Sequence, residues 1–444
     1  MALLERLRDR VGAGRPVTVG VVGAGQMGAG LIVQMEHLDW SHVVGVADID
    51  IDRARGALRL AGVPDEEVVV VDDLWGAERA ADAGRRVVTK DAELMAALKT
   101  HEVVVDATGV PEVGARVAHG AIRVGKHVVM LNVEADVTIG RQLHRMATAA
   151  GVVYTGSAGD EYAAAKELVD FARLLGFRLV AAGKGKNNPL DRTATPDRLR
   201  ARAEAIGAGP AMLASFVDGT KTAVEMTCLA NATGLVPDVR GMHGPDATVE
   251  ALPGIFRPRQ EGGILNRVGV VDYAIGVAPG VFVIIDTDDE VVARDLRYLR
   301  LGEGPYWTLF RPYHLANLET PLSIARAAVY GDATITPLPV PVAETIAVAK
   351  RDLRPGEALD VIGGFTFYGL IEQASVAARE GLLPLGLAEH AAVVAPVRMG
   401  DPIPCSAVEI DRTSLLARLR EMQDGGPPAV AGRVTMVHAA HEYD

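Results

Sequence analysis

VTVGVVGAGQMGAGLIVQM, residues 17–35, runs from an apolar β-branched strand into a glycine turn and then into a helical pattern. That context turns Gly23-x-Gly25-x-x-Gly28 from a common motif into a specific one. Gly23 permits the tight turn, and Gly25 lets backbone N–H groups approach a pyrophosphate at the helix N-terminus. Gly28 lets the helix sit close to its strand. Gln26 and Met27, between the second and third glycines, join them as expected cofactor contacts. The reading is a dinucleotide-binding turn for NAD or NADP.

Working outward, apolar strand-like runs alternate with helical stretches: HVVGVAD (42–48), VVVVDD (68–73), EVVVDATG (102–109) and KHVVMLN (126–132). This alternation implies a parallel, doubly wound sheet with helices on both faces. Asp48, ending the second strand, is placed to accept hydrogen bonds from the adenosine ribose and argues for NAD. Arg53 and Arg55 follow closely and could pair with a 2′-phosphate, so the choice stays open. Thr108 and Gly109 fall where such domains meet the nicotinamide half, and Asn132 and Glu134 fall at the same edge. For Asn132 and Glu134 a solvated turn is the alternative.

The 444 residues, 49% hydrophobic and 23% charged, suit a multidomain folded enzyme. The net charge of −12, with no long basic run, speaks against nucleic acid as a partner. Two cysteines, Cys228 and Cys405, supply neither a disulfide framework nor a zinc site. The charged start MALLERLRDR does not read as a signal peptide but as a short amphipathic helix. No segment has the length and charge-free character of a membrane span, so a cytoplasmic location without membrane association is expected.

Beyond EYAAAKELVDFARLLG (161–176), a helix leading out of the first domain, the chain changes character. GKGKNNPLD reads as a turn presenting Lys184, Lys186, Asn187 and Asn188 to an anionic group, or to a carbonyl oxygen that gains charge. SFVDGTKTAVEM places Asp218, Thr220 and Lys221 on a turn, with Thr220 or Thr222 capping a following helix. Near that positive helix end the proton affinity of Lys221 should fall. A simple i,i+4 ion pair with Glu225 is the alternative. RPYHLANLETP offers Arg311, His314 and Glu319 between two prolines that interrupt helix. Lys184, Lys186, Asn187, Lys221 and His314 are the catalytic candidates, and Asn188, Asp218, Thr220, Arg311 and Glu319 the substrate-binding ones.

KHVVMLNVEAD resembles the strand and loop of homoserine dehydrogenase-like Rossmann domains. Further along, GSAGDE, AAGKGKNNPLD, SFVDGTKTAVEM, LANATGLVPDVRGMHGP and RPYHLANLETP resemble the DRL family, the 1-deoxy-D-xylulose 5-phosphate reductoisomerase-like enzymes. The resemblance runs over nearly the whole chain from Val17. It implies an NAD(P)-dependent oxidoreductase acting on a small anionic carbonyl compound such as a ketose phosphate. A skeletal rearrangement assisted by a divalent ion (Mg or Mn) is also implied. Neither HxxE, HExxH nor a paired-carboxylate cluster marks a metal site independently, and direct reduction would need only the cofactor, a cation and a proton donor. AVAKRDLRPGEALD (347–360) resembles the SAF module.

The expectation is therefore α/β: a Rossmann domain over 1–156, an α+β catalytic and dimerisation domain over 157–335, and a mostly-β SAF-like module over 336–444. The proline-bearing segment 332–348 serves as linker. A homodimer or homotetramer is expected. The alternatives are a homoserine dehydrogenase-like aldehyde/alcohol oxidoreductase and a non-catalytic dinucleotide sensor.

Overall fold

The computed structural model describes residues 2–425. The strand that opens the sequence reading, β1 (Val17–Val22), lies at the middle of a seven-stranded, all-parallel sheet. Its neighbours are β2 (Ser41–Ala47), β3 (Val68–Val70), β4 (Arg86–Thr89), β5 (Val103–Asp106), β6 (His127–Met130) and β7 (Tyr154–Gly156), in the order β3-β4-β2-β1-β5-β6-β7. Helices cover both faces, so the central strands are near-continuous runs of buried valine. The order reverses between β1 and β5, and the crevice beyond their carboxyl ends is where such sheets bind ligands. The N-terminal helix Leu3–Gly12 buries Leu7 against β1, as its amphipathic spacing predicts.

A second sheet, β12-β11-β8-β10-β9, is built from β8 (Arg178–Lys186), β9 (Val236–Pro237), β10 (Val270–Ile275), β11 (Val281–Asp286) and β12 (Tyr306–Arg311). β8 pairs in parallel with β10 and antiparallel with β11. One face packs against the helices Glu161–Leu174 and Thr220–Thr233. The other is closed by chain from 247 to 265, where the Phe256 and Phe282 rings stack with centroids 5.3 Å apart. Lys184 and Lys186 therefore belong to a strand rather than to the expected turn.

The helix Thr220–Thr233 is the axis of the molecule: every residue in it except Lys221 is buried. A helix enclosed all round must satisfy its polar side chains internally. Thr227 and Thr233 donate to the carbonyls of Ala223 and Leu229, one turn back. No side chain caps its N-terminus. Gly219 occupies that position with φ 87°, and Thr220 instead accepts a hydrogen bond from the Gly369 N–H at 2.8 Å. That contact belongs to a C-terminal antiparallel pair, β13 (Ala343–Ala349) and β14 (Phe367–Gln373), lying on the helix. The proline-bearing segment thus becomes strand from Ala343 onward, drawn in because Asn231 accepts from the N–H of Val342 and of Ala343 and donates to the Ala343 carbonyl.

The chain recrosses between layers. The helix Ala316–Tyr330, which contains Pro321, returns to pack on Gln26–Glu36 of the first sheet, so the second proline of RPYHLANLETP does not stop helix formation. The helix Leu415–Gly425 buries Leu416 and Leu419 against the other face of that sheet's helices. Asn231→Ala should cost about 2–4 kcal/mol, because it leaves backbone groups of a buried strand without partners. Urea unfolding followed by circular dichroism reads that loss as a lowered midpoint.

Candidate active site

The glycine turn closes as its sequence requires. Gly23 has φ 94°, and a Cβ there would lie 2.9 Å from the Ala107 carbonyl, while a Cβ on Gly28 would lie 1.9 Å from the Gly23 oxygen. Gly25 differs. It caps the helix Gln26–Glu36 with φ −66°, and a Cβ on it would meet no protein atom within 4 Å. Neither strain nor packing demands glycine at 25, so the open cradle at the helix N-terminus fits a pyrophosphate approaching the backbone. Gln26 and Met27 form the exposed first turn beside it.

Asp48 follows β2 and accepts from the Ala24 N–H at 2.7 Å and the Asp50 N–H at 2.9 Å, binding the turn to the second strand. The Arg53 guanidinium lies 3.7 Å from both Asp48 and Asp50. A hollow of about 330 Å³ opens beside this corner, lined by Ile51, Val70, Asp72, Thr89, Lys90 and Asp91 among others.

On the other side of the switch point Asn132 is fully buried. Its amide donates to Asp106 at 2.9 Å, Thr108 Oγ1 at 3.2 Å and the Val110 carbonyl at 2.9 Å, and its oxygen caps the helix Val133–Ala150 at the Ala135 N–H. Its side chain is thereby committed to shaping the Thr108–Gly109 turn. Burial pushes the Asp106 carboxyl up to about 6, against the hydrogen bonds from Thr108 and Asn132.

Glu134, two residues on, accepts from Lys221 at 2.9 Å. This pair joins the cofactor edge of the first sheet to the buried helix of the second domain. Beside it stand Asp160 and Glu161 at the start of the helix Glu161–Leu174, Glu225 one turn after Lys221, and Lys184 on β8. Lys184 binds Glu161 at 2.7 Å and also Glu225, and His314 Nε2 lies 3.4 Å from Glu161. Carboxylate oxygens of Asp160, Glu161 and Glu225 lie within 4.8 Å of one another. Like charges at that spacing repel by roughly 3–4 kcal/mol per pair at an effective dielectric of 20, so the cluster needs its ammonium groups.

Burial works against the Lys184 ammonium, but Glu161 and Glu225 outweigh it and raise its proton affinity. Lys221 is likewise raised, burial being overcome by Glu134, Asp160 and Glu225. The expected fall from the helix end is thus reversed, because full carboxylate charges exceed a partial helix charge. The alternative Lys221–Glu225 pair does not form as a direct bond, since Lys221 bonds to Glu134 and Glu225 to Lys184. Burial and Glu161 push Glu225 well up, whereas Lys184 and His314 bring Glu161 down despite burial. Lys186, two residues along the same strand face, donates to the Phe216 carbonyl. Burial and the neighbouring Lys184 lower it to about 8.

Other expected site residues are already engaged. Asp218 is completely buried and pairs with Lys350 at 2.8 Å, while Thr220 is 1% exposed and holds β14, so neither can reach a substrate in this packing. Asn188 accepts from Arg202 and donates to Asn187, which is exposed at the strand end. Arg311 grips Glu319 through two bonds of 2.7 and 2.6 Å and also meets Glu167, so these two expected ligands serve each other. Asp160 and Glu161 enter the sequence reading only inside strings such as GSAGDE, with no role assigned to either. Their signal was an adjacent acid pair ending GSAGDE directly before a helix.

A glycine cradle for a dinucleotide, with a buried lysine–carboxylate centre beside its nicotinamide edge, defines an NAD(P)-dependent oxidoreductase. Residues 159–320 match the family model described as the catalytic domain of oxidoreductase DRL, and residues 23–155 match that of the homoserine dehydrogenase NAD-binding domain. The chain therefore carries a DRL-type catalytic domain joined to a homoserine dehydrogenase-type NAD-binding domain. No curated protein matches it. Similar solved structures include a probable dehydrogenase from Thermotoga maritima (13% identity, 71% of this chain and 90% of that one, TM-score 0.41). Another is a myo-inositol 2-dehydrogenase from Lactobacillus plantarum (10%, 72% and 91%, 0.40). A third is the 1-deoxy-D-xylulose 5-phosphate reductoisomerase from Zymomonas mobilis with NADPH (14%, 72% and 82%, 0.37). Likeness this distant does not speak to substrate. Among the described residues no helix is long and apolar enough to cross a membrane.

Gly25→Val should weaken NAD(P)H binding at least tenfold, read by fluorescence titration, while the melting temperature stays within about 2 °C of the parent. Gly28→Ala should instead lower the melting temperature, since its Cβ has no room.

Proposed function

We propose that the chain reduces the carbonyl group of a small, hydroxyl-rich substrate, with Lys221 stabilising the developing oxyanion and Lys186 supplying the proton. The observation that carries this reading is the position of Lys221: it alone in the helix Thr220–Thr233 is not buried, and Glu134 holds it at the cofactor edge. Bound nicotinamide supplies the hydride. Glu134 orients the Lys221 ammonium and keeps it charged, and an ammonium aimed at a forming alkoxide in a low-dielectric site is worth several orders of magnitude in rate. Lys186, lowered to about 8, is matched to proton transfer near neutral pH. Asp160 and Glu161 can accept hydrogen bonds from substrate hydroxyls.

Four carboxylates face the centre (Glu134, Asp160, Glu161 and Glu225) against the ammonium groups of Lys184, Lys186 and Lys221. This balance favours hydroxyl groups over a phosphate next to the reacting carbon. In a ketose phosphate such as 1-deoxy-D-xylulose 5-phosphate, the phosphate would have to lie outward, toward Asn187. The three carboxylates would suit a divalent ion by chemistry alone, but with Lys184 bonded to two of them the residues as packed do not fit one. The step is therefore assigned to lysines.

For the cofactor we favour NAD. Asp48, Asp50 and Asp52, with Asp72 and Asp91 beside the hollow, outnumber Arg53 and Lys90, and Arg53 is already shared between two of these acids. A 2′-phosphate would meet net negative charge.

Lys221→Met should lower kcat by about 10²–10³ with less than a threefold change in cofactor affinity. Equal loss in both would remove Lys221 from the chemistry. Reduction requires protonated Lys186, so kcat should be level below the pKa of Lys186 near 8 and fall as pH rises through it. Lys186→Gln should be slow and lack that step. Asp48→Ser should move the NADH-to-NADPH preference toward NADPH by at least tenfold in kcat/KM.

A further inference from the structure

We infer that Lys184 is an internal cation standing where the Asp160–Glu161–Glu225 cluster would otherwise take a divalent metal ion, so that this centre is held together without metal and becomes a metal site only when the ammonium is removed. Three carboxylates that converge this closely from two helices must be relieved by a retained proton or by positive charge between them. A divalent ion with waters can supply it, and so can an ammonium. Here the ammonium of Lys184 bonds to Glu161 and Glu225, its side chain is 5% exposed, and the charges of Lys221 and Lys184 both favour the ionised Asp160. A divalent ion brought into contact with the same oxygens would lie against a buried like charge.

β8 also leaves Lys184 little freedom to withdraw. The flanking Gly183 and Gly185 are packed so tightly that a Cβ would lie 1.9 Å from the Asp272 oxygen in one case and 2.3 Å from the Ala278 nitrogen in the other. The strand is paired on both sides by β10 and β11 through this position. The lysine is thus delivered into the cluster by a strand fixed in register, and the carboxylates by two helices packed on the same sheet, Glu161–Leu174 on β8 and Thr220–Thr233 on β10. This inference does not depend on which carbonyl compound is reduced.

The test uses the full chain and manganese alone as probe, with thermal unfolding and electron paramagnetic resonance as readouts. The parent protein should show no shift in melting temperature on adding about 1 mM Mn²⁺, on the order of the weakest calcium affinities of protein sites. It should also retain no stoichiometric bound signal. Lys184→Met should gain one bound Mn²⁺ per chain, at least tenfold tighter than the parent, and a melting temperature that rises with Mn²⁺. Adding Glu225→Gln to that variant should abolish both. If Lys184→Met is unfolded without metal, Mn²⁺ should restore its unfolding transition. A parent protein that binds one Mn²⁺ in a manner lost with Glu225→Gln would overturn the inference. So would a Lys184→Met variant, folded or not, that gains neither binding nor thermal stabilisation from the ion.

Discussion

Glu134, Asp160, Glu161 and Glu225 share a largely buried junction with the ammonium groups of Lys184 and Lys221, and the rest of the architecture is arranged so that these opposite charges meet. An isolated charge moved from water into such a place costs far more than any single packing contact returns, and removing one partner of a buried pair strands the other. The contributors therefore come from rigid elements: a strand paired on both sides, two helices packed on one sheet, and the first turn of a helix after β6. None is on a free loop.

That requirement explains the unusual burial of the helix Thr220–Thr233. It carries one lysine and one glutamate of the junction, and it is packed against β10, the helix Glu161–Leu174, β13 and β14. The C-terminal strands thereby act on the candidate active site without contributing to it. Thr220 and Asp218, which the sequence offers as substrate ligands, are the points where the grip is applied, through Gly369 and Lys350 respectively. The Glu134–Lys221 bond then ties this framework to the cofactor edge, so the two halves of the centre keep a fixed relation.

The lysine pair on β8 divides the labour. Lys184 is neutralised by two carboxylates and stays charged, whereas Lys186 faces a carbonyl and the charge of its neighbour and holds its proton less firmly. Burial lowers both residues, 2 positions apart on one strand face, and only for Lys184 do carboxylate partners reverse the sign of the shift.

The amino-acid sequence by itself determined the dinucleotide domain, because the glycine turn, the alternating strands and Asp48 act through local geometry that a run of about thirty residues contains. It also named Lys184, Lys186, Lys221 and Glu134 as polar residues of interest. It misread their setting, since the glycine and asparagine content of GKGKNNPLD suggests a turn, while the period-2 spacing of the lysines fits the strand they occupy. Only the tertiary structure decided which charges meet. Glu225 lies 4 positions from Lys221, and Glu134 lies 87 positions away, yet Lys221 bonds to the distant one. Asp160 and Glu161 enter the centre because the helix they begin is laid on β8. Ion pairing in a buried junction depends on distance in space, and no pattern along the chain records which helix will be laid against which strand.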